Sequence, residues 1–346
     1  MNFLDRNEFN YMPSPQVIEA IKNFDPMKLC FYTRIYDEGK KSIFSVKLSE
    51  IYGIDESRII LGYGGEDILK NAIHFFLAKP GNNRKILIPN FSWWYYASLA
   101  KEVNGETILY PIFEAEDSFK YDKVVLKQML EKEKPAALLL ASPNNPTGNC
   151  LSPDDIDDIM SWTPKDTVVV IDEAYASFIT EDSSYVKPLV DKYPNLLITR
   201  TLSKFFGLPG LRMGFAFMGE NLAGDFARYA NKYLGYNRFS EEVAMAAINS
   251  ESYYRNIADN MELDRQMYSR ELGSLPGFKV YKSTANFILI KYPVALKQKL
   301  QQEFKNADFK IKFMDEPDLN EHMRITLGRR EQNKIVAEII KKTAVK

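Results

Sequence analysis

Short apolar runs, several of them unbroken, recur between residues 59 and 217 and constrain the fold of this chain more than any other feature. They span residues 59–61, 86–88, 107–109, 137–140, 168–171, 196–199 and 215–217. Runs without polar alternation are typical of strands that are covered on both faces. Between them, residues 67–76 and 153–160 have helical spacing. Because strands alternate with helices, the sequence predicts an α/β fold with a mostly parallel sheet and flanking helices.

The sequence beyond residue 219 has a different pattern. Residues 221–272 are predicted to form a long helix that is interrupted near residues 235–237. Strands are then expected at 279–281, 287–290, 309–313 and 322–326, around a helix at 295–304. This pattern predicts a smaller α+β domain. We therefore expect an amino-terminal arm (1–35) that packs on the small domain or on a partner, a large domain (36–235) and a small carboxyl-terminal domain (236–346).

The composition disfavours several classes of function. Lysine and arginine total 45 against 46 for aspartate and glutamate, so the sequence predicts neither a nucleic acid nor a membrane as partner, and favours a small molecule. The two cysteines, Cys30 and Cys150, show no metal-binding spacing and indicate a reducing, cytoplasmic setting. Only His74 and His322 are available for metal sites or histidine triads. A lysine is therefore the leading candidate for acid–base chemistry.

The segment T-L-S-K follows the apolar run at 196–199, so Thr201, Ser203 and Lys204 are expected where a strand ends and a loop begins. A neutral lysine amine can form a Schiff base with an aldehyde. The two hydroxyls, together with Arg212 eight residues after the lysine, can bind a phosphate. Pyridoxal phosphate carries both of these groups. Taken alone, the segment fits a surface lysine near an arginine equally well.

Two more predicted strands end in residues that suit this cofactor. The turn G-Y-G-G-E-D opens a helix, where the N–H groups of Gly65 and Glu66 can bind an anion. Asp172 follows the run at 168–171, and a carboxylate beside a pyridine nitrogen keeps that nitrogen protonated. Tyr175 can hydrogen-bond a ring hydroxyl. Each of these predicted strand ends therefore offers the cofactor a different chemical group.

Two loops complete the set. The loop P-N-N-P-T-G follows the run at 137–140, and its prolines and glycine can hold one asparagine amide toward a ligand. The loop P-N-F-S-W-W-Y-Y follows the run at 86–88 and offers aromatic faces on which a planar ring can stack. Most of these aromatic residues are expected to pack in the core. The five motifs together supply the groups that pyridoxal phosphate requires.

The order of the motifs resembles that of the fold-type I, aspartate-aminotransferase-like enzymes that use pyridoxal phosphate. It runs from G-x-G-G-E through the aromatic loop, P-N-N-P-T-G, D-E-A-Y and T-L-S-K to G-L-R-x-G. The likeness is greatest to the histidinol-phosphate aminotransferase branch and covers nearly the whole chain. It implies a ping-pong aminotransferase that takes an amino group from a donor and gives it to 2-oxoglutarate. The candidate donors are L-histidinol phosphate and an aromatic amino acid.

The resemblance also implies a role for each matched residue. Lys204 would form the Schiff base and move the proton, Asp172 would hold the pyridine nitrogen, and Tyr175 would bond the ring oxygen. The implied cofactor contacts are Gly65, Glu66, Trp94, Asn145, Asp172, Tyr175, Thr201, Ser203, Lys204 and Arg212, with Tyr36 reaching the phosphate from the partner subunit of a homodimer with shared active sites. The implied substrate contacts are Arg324 in M-R-I-T-L-G, which would bind a carboxylate, Tyr11 in the arm, and Lys312.

Departures from the branch leave the donor open. Lys312 stands where these enzymes usually have an arginine, and a lysine is a point charge rather than a fork for a phosphate. Phe9 and Asn10 replace asparagine and proline in the arm. A decarboxylase of threonine phosphate is a second hypothesis, because such enzymes share G-L-P-G-L-R. A catalytically silent regulatory protein is a third, although Lys204 is present and no stretch of the chain suits a DNA-binding domain.

Overall fold

The computed structural model describes residues 1–179, 182–232 and 235–345. The strands are β1 (Asn2–Leu4), β2 (Ile59–Gly62), β3 (Lys85–Pro89), β4 (Glu106–Tyr110), β5 (Ile112–Glu114), β6 (Phe119–Tyr121), β7 (Ala137–Ala141), β8 (Val168–Asp172), β9 (Leu196–Thr201), β10 (Gly214–Met218), β11 (Lys279–Val280), β12 (Phe287–Lys291), β13 (Phe309–Phe313) and β14 (His322–Thr326). The α-helices are α1 (Pro15–Lys22), α2 (Ile43–Tyr52), α3 (Gly65–Ala78), α4 (Tyr95–Glu102), α5 (Lys123–Glu133), α6 (Pro153–Trp162), α7 (Val186–Lys192), α8 (Asp225–Ala230), α9 (Arg238–Ile248), α10 (Glu251–Leu272), α11 (Lys297–Asn306) and α12 (Arg330–Val345). Within the described ranges no helix is both long and apolar enough to cross a membrane.

A seven-stranded sheet stands at the centre of the described structure, in the order β2-β10-β9-β8-β7-β3-β4. Strand β10 runs antiparallel to both of its neighbours, and the other neighbouring strands pair in parallel. All five residues of β7 are buried, as is expected of a strand that helices cover on both faces. The α/β fold with a mostly parallel sheet, predicted from the apolar runs, is confirmed.

Local sequence signals set several helix ends. The Ser152 hydroxyl accepts a hydrogen bond from the Asp155 N–H, and the Asp155 carboxylate accepts one from the Ser152 N–H. This capping box satisfies two N–H groups at the start of α6 that the helix itself leaves unpaired. Gly53 ends α2 with a φ of 63°, in the left-handed region that glycine adopts without a Cβ clash. The helices that flank the sheet therefore begin and end largely where local chemistry directs.

A second sheet contains five of the described strands, in the order β1-β13-β14-β12-β11. Strand β1 belongs to the amino-terminal arm and pairs in parallel with β13, with Asn2 opposite Phe309 and Leu4 opposite Ile311. Buried Leu4 joins the hydrophobic core that extends beneath both sheets. The arm therefore begins as an edge strand of the second sheet. The boundaries between the arm, the large domain and the small domain, after residues 35 and 235, stay a prediction.

The long helix expected at 221–272, with one interruption near 235–237, is divided more than predicted. The described residues of this range form α8, α9 and α10, and residues 233–234 lie outside the description. The break predicted near 235–237 is present, because the Asn237 side chain accepts a hydrogen bond from the Ser240 N–H and starts α9. A second break follows Ile248, where the Ser250 hydroxyl donates to Ala246 O. Hydrogen bonds from polar side chains to the nearby backbone compete with the helix and can end it. The spacing of apolar residues, on which the prediction is based, does not show these bonds.

Candidate active site

A cavity of about 650 Å³ lies where the carboxyl ends of β7, β8 and β9 approach β13 and β14. Asp172 is the last residue of β8, Thr201 is the last residue of β9, and Arg324 lies in β14. The carboxyl ends of parallel strands form the edge at which α/β sheets bind ligands. The predicted site residues that line the cavity are Gly65, Glu66, Trp94, Asn145, Asp172, Tyr175, Thr201, Ser203, Lys204, Arg212, Lys312 and Arg324.

Tyr36 and Tyr11 are not among the described residues that line this cavity. The Tyr36 hydroxyl donates to Lys232 O at 2.6 Å, and the Tyr11 hydroxyl donates to Gly328 O at 3.2 Å. Burial raises the pKa of Tyr11 to about 12, so this hydroxyl is a neutral donor at physiological pH. Tyr36 is predicted to reach the phosphate in the active site of a partner subunit. Its position within a single chain therefore does not test that prediction. Tyr11 does not reach the cavity in the single chain.

Lys204 directs its amine at the amino-terminal arm. Its Nζ donates to Arg6 O at 3.3 Å and to Asn7 O at 3.2 Å, and it lies 5.7 Å from the centre of the Tyr175 ring. The lysine follows β9 in a short turn, so the end of a buried strand fixes its Cα. Two carbonyl oxygens hold the amine, and no carboxylate of the described residues forms an ion pair with it. The amine is therefore placed inside the cavity by neutral groups.

Asp172 presents a buried carboxylate to the same cavity, with only 8% of the residue exposed. Its Oδ2 accepts a hydrogen bond of 2.6 Å from the Tyr96 hydroxyl, and its Oδ1 accepts one of 3.0 Å from the Ala174 N–H. Burial raises the pKa of Asp172 above its ordinary value, while these two donors act in the opposite direction. No cationic side chain in the described part of the chain is ion-paired with it. A cationic group of a ligand would therefore be stabilised here.

Thr201, Ser203 and Arg212 lie together in the cavity wall. Thr201 Oγ1 donates to Ser203 Oγ at 2.9 Å and accepts from the Ser203 N–H at 3.1 Å. Arg212 Nη2 donates to Tyr63 O at 3.1 Å and lies 3.8 Å from the Glu66 carboxylate. About half of each of these two charged side chains is exposed, so the pair is weak and the guanidinium can turn to an anion.

Glycine is required where β10 passes the start of α3. A Cβ on Gly214 would lie 2.5 Å from Gly65 N, and a Cβ on Gly64 would lie 2.5 Å from Arg212 Nη2. Gly64 also has a φ of 86°, which side chains rarely adopt. These close approaches bring the first N–H groups of α3, which have no partner within the helix, beside the Arg212 guanidinium. Helix N–H groups, hydroxyls and a guanidinium are together suited to a phosphate.

Arg324 crosses from the second sheet into the cavity. Its Nη1 donates to Asn145 Oδ1, and its Nη2 donates to Asp5 O at 2.6 Å. Burial lowers the pKa of this guanidinium from its ordinary value, and its central carbon lies 5.6 Å from the centre of the Phe287 ring. Arginine nevertheless stays protonated in proteins. Because neutral groups hold it, its charge is available to a substrate carboxylate.

Tyr96 and Asn7 belong to this site, although the sequence gives no prediction for either side chain. Tyr96 is one of four consecutive aromatic residues, and no local signal distinguishes it from those that pack in the core. Asn7 Nδ2 donates to the Tyr175 hydroxyl at 2.9 Å, across 168 positions in the sequence. No pattern near Asn7 in the sequence indicates that its partner is Tyr175.

The residues present fit pyridoxal phosphate. Asp172 is a buried carboxylate without an ion-pair partner among the described residues, which suits a protonated pyridine nitrogen. Lys204 carries an amine into the same cavity, and the α3 amino terminus with Thr201, Ser203 and Arg212 offers donors to a phosphate. The cofactor combines an aldehyde, a pyridine ring and a phosphate, and a complementary group is present for each.

Comparison with protein families agrees with this chemistry. The model of the family described as aminotransferase class I and II matches residues 2–340. Among curated proteins, a histidinol-phosphate aminotransferase of Ruminiclostridium cellulolyticum is 31% identical over 343 residues, which covers 97% of this chain and 90% of that protein. One of Brachyspira hyodysenteriae is 30% identical over 342 residues, covering 98% and 91% of the two chains.

A solved structure gives the same fold at lower identity. The histidinol-phosphate aminotransferase of Sinorhizobium meliloti, in complex with pyridoxal 5'-phosphate, superposes with a TM-score of 0.85 and 19% identity over 99% of this chain and 91% of that one. At this identity the likeness concerns the fold alone. The family itself is shown by the match over nearly the whole sequence.

Proposed function

Because the chain belongs to the class I and II aminotransferases and is an enzyme that depends on pyridoxal phosphate, we propose that it transfers an amino group from L-histidinol phosphate to 2-oxoglutarate. The observation that carries this proposal is the convergence of Lys204, Asp172 and Arg324 on one cavity, although they come from separate parts of the chain. The choice of donor is supported by the names of relatives that are 28 to 31% identical over nearly the whole chain. An aromatic amino acid is the other candidate.

The cofactor, when bound, supplies a protonated pyridine ring that withdraws electrons from the carbon next to the transferred nitrogen. The chain's own residues do the remaining work. We assign Asp172 to the pyridine nitrogen, because a buried carboxylate favours the protonated form of a neighbouring base. We assign the proton transfers to Lys204 Nζ, because a lysine amine on its flexible stem can accept a proton at one carbon and deliver it at another. Trp94, 71% exposed, is assigned to the face of the ring at the cavity mouth.

The cavity wall contains two groups of residues that suit anions. Gly65, Glu66, Thr201, Ser203 and Arg212 are assigned to the cofactor phosphate. Their backbone N–H groups, hydroxyls and guanidinium supply the donors that three phosphate oxygens require, with Glu66 contributing its N–H.

Arg324 is assigned to the carboxylate of 2-oxoglutarate, and Asn145 holds the guanidinium by accepting its Nη1 hydrogen bond. Asn145 and Tyr175 are also assigned to the ring oxygen of the cofactor.

Lys312 lines the cavity and is 40% exposed, with its Nζ 2.9 Å from Asp315 Oδ2. We assign it to the phosphate of the donor.

The working unit is proposed to be a homodimer with shared sites. Four large apolar residues of one short segment are exposed in the single chain: Met27 (59%), Leu29 (61%), Phe31 (57%) and Tyr32 (72%). Exposed apolar clusters of this kind mark contact surfaces, and closed two-fold dimers are the commonest assemblies. The segment leads directly into Tyr36, which would then reach the partner's phosphate site. The arm, large domain and small domain at 1–35, 36–235 and 236–346 are part of the same proposal.

A mixing experiment tests the shared site. We expect Lys204→Ala and Tyr36→Ala variants to be inactive or weak alone, because each lacks one component of every site. Unfolded and refolded together, they form mixed dimers in which one site receives both intact residues, and activity returns to about a quarter of the wild-type value. Activity that stays at the sum of the two separate variants would contradict sharing.

The cytoplasmic setting is proposed from Cys30 and Cys150, both of which are free thiols.

The donor is tested by single-turnover spectroscopy. The cofactor-loaded protein is mixed with histidinol phosphate, phenylalanine, tyrosine or threonine phosphate, and conversion to the pyridoxamine form is followed by absorbance. We expect histidinol phosphate to react faster than phenylalanine and tyrosine by a factor of ten or more, about 1.4 kcal/mol of transition-state binding. Release of carbon dioxide from threonine phosphate without pyridoxamine would instead indicate the decarboxylase. Failure of every donor would favour the silent protein.

A further inference from the structure

Asn7 is the most connected residue of the amino-terminal arm. It is 1% exposed, has a φ of 56° and lines the cavity. Its N–H donates to Thr326 Oγ1 at 2.9 Å, and its carbonyl accepts from Asn286 Nδ2 at 3.1 Å and from Lys204 Nζ at 3.2 Å. Asparagine tolerates the left-handed region better than most residues. The arm is therefore fixed to both sheets at this one position.

The Asn7 side chain has a defined orientation. Thr326 Oγ1 accepts from the Asn7 N–H, so its own proton is free to point at Asn7 Oδ1, 3.5 Å away. The amide oxygen therefore faces Thr326, and the amide nitrogen faces the Tyr175 hydroxyl, to which it donates at 2.9 Å. An amide assignment depends on its surrounding network, and here two neighbours agree.

This orientation determines what Tyr175 can do. A phenol has one proton and accepts through its oxygen. Because Asn7 occupies an acceptor position of the Tyr175 oxygen, the Tyr175 proton is not used by Asn7 and can be donated into the cavity. An acceptor in place of the amide NH₂ group would have the opposite effect, since it would take that proton.

We propose that Asn7 is a positioning residue for the bound cofactor, which directs the Tyr175 hydroxyl to donate its proton to the ring oxygen of pyridoxal phosphate. The inference rests on the proposed cofactor site, with Tyr175 at the ring oxygen and Lys204 joined to the aldehyde. A donor to this oxygen stabilises its deprotonated form. Asn7 therefore lowers the pH at which the absorbance of the bound cofactor changes.

The test is a pH titration of the absorbance of the loaded wild type and variants, which needs no turnover. Asn7→Asp preserves the size and the tolerated backbone conformation but accepts the Tyr175 proton. We expect its midpoint to rise by about one pH unit, as in Tyr175→Phe. Asn7→Gly allows the same backbone and retains the carbonyl that accepts from Lys204, so we expect a smaller rise. Asn10→Gly, in the same arm but outside the cavity, is the matched control and should titrate like the wild type.

A double-mutant cycle separates this role from a general loss of structure. In a Tyr175→Phe background, Asn7→Gly should shift the midpoint no further, because the hydroxyl through which it acts is gone. An additional shift equal to that in the wild-type background would overturn the proposal, and so would a wild-type midpoint in Asn7→Gly. Borohydride trapping of cofactor on Lys204 is checked in each variant. If the wild type itself traps none, the cofactor site is wrong and the inference is lost with it.

Discussion

The Tyr96 hydroxyl donates a 2.6 Å hydrogen bond to Oδ2 of Asp172, and both side chains are almost completely buried. Tyr96 lies in the first turn of α4, and Asp172 ends β8. The Ala174 N–H occupies the other oxygen of Asp172, so the carboxylate is fixed from two directions. This fixed carboxylate is the group that we assign to the pyridine nitrogen. Burial also raises the pKa of Tyr96 well above its ordinary value, so its hydroxyl stays protonated and can donate at neutral pH.

Removing the Tyr96 hydroxyl tests whether its hydrogen bond controls the ionisation of Asp172. In Tyr96→Phe the pKa of Asp172 should rise further, because a hydrogen bond to the ionised form is lost while burial remains. We expect the acidic limb of the pH profile of kcat/KM to move to higher pH and kcat at neutral pH to fall by about tenfold. Tyr95→Phe, at the neighbouring position outside the cavity lining, should leave the profile unchanged. An acidic limb that does not move in Tyr96→Phe would show that this bond does not set the ionisation of the site.

The amine of Lys204 is the group on which the proposed chemistry depends. Lys204→Ala should lose the absorbance of cofactor bound covalently to the protein, and kcat should fall by at least about 10²–10⁴-fold, because the proton carrier is gone. Lys192→Ala removes a surface lysine that is paired with Asp157 and is the matched control. Retention of both absorbance and turnover in Lys204→Ala would move the reactive amine elsewhere. An external amine such as methylamine should restore part of the activity if the lysine acts as a base.

The guanidinium of Arg324 is expected to recognise a carboxylate through two parallel hydrogen bonds. Arg324→Lys retains the charge and loses the fork, so KM for 2-oxoglutarate should rise by about 10- to 100-fold, corresponding to roughly 1.4–2.7 kcal/mol. The KM for a donor that lacks a carboxylate, such as histidinol phosphate, should change much less. Arg270→Lys, on the exposed surface of α10, is the control. Equal increases for both substrates would indicate that Arg324 supports the cavity as a whole rather than one anion.

Asp172 also has a predictable effect on stability without cofactor. Its pKa is raised by burial in the folded chain, so its contribution to stability is fully present below the pKa of the unfolded chain and is lost as pH rises through the folded value. The apoprotein of Asp172→Asn should therefore be more stable than wild-type apoprotein at neutral pH, and the difference should shrink in acid. Urea unfolding at several pH values measures this difference. The order should reverse when cofactor is added, because wild type binds it more tightly.

Short-range sequence patterns were sufficient to locate the strands that carry the site. The run Val168–Asp172 is apolar until its last residue, and the run before Lys204 is similar, so both functional groups could be placed at strand ends. Parallel pairing of neighbouring strands then brings those ends to one edge of the sheet. The helix ends at Ser152 and Gly53 are local in the same way, because a helix end depends on a few adjacent residues.

Which side chains meet across long stretches of the chain follows from the packing of whole sheets and helices, and local patterns do not show it. The bonds from Asn7 to Tyr175, from Tyr96 to Asp172 and from Arg324 to Asn145 span 168, 76 and 179 positions. Local composition was enough to predict the order of most elements and to nominate the reactive groups. It left their partners undetermined, because a hydrogen bond between distant residues depends on how whole sheets and helices pack together.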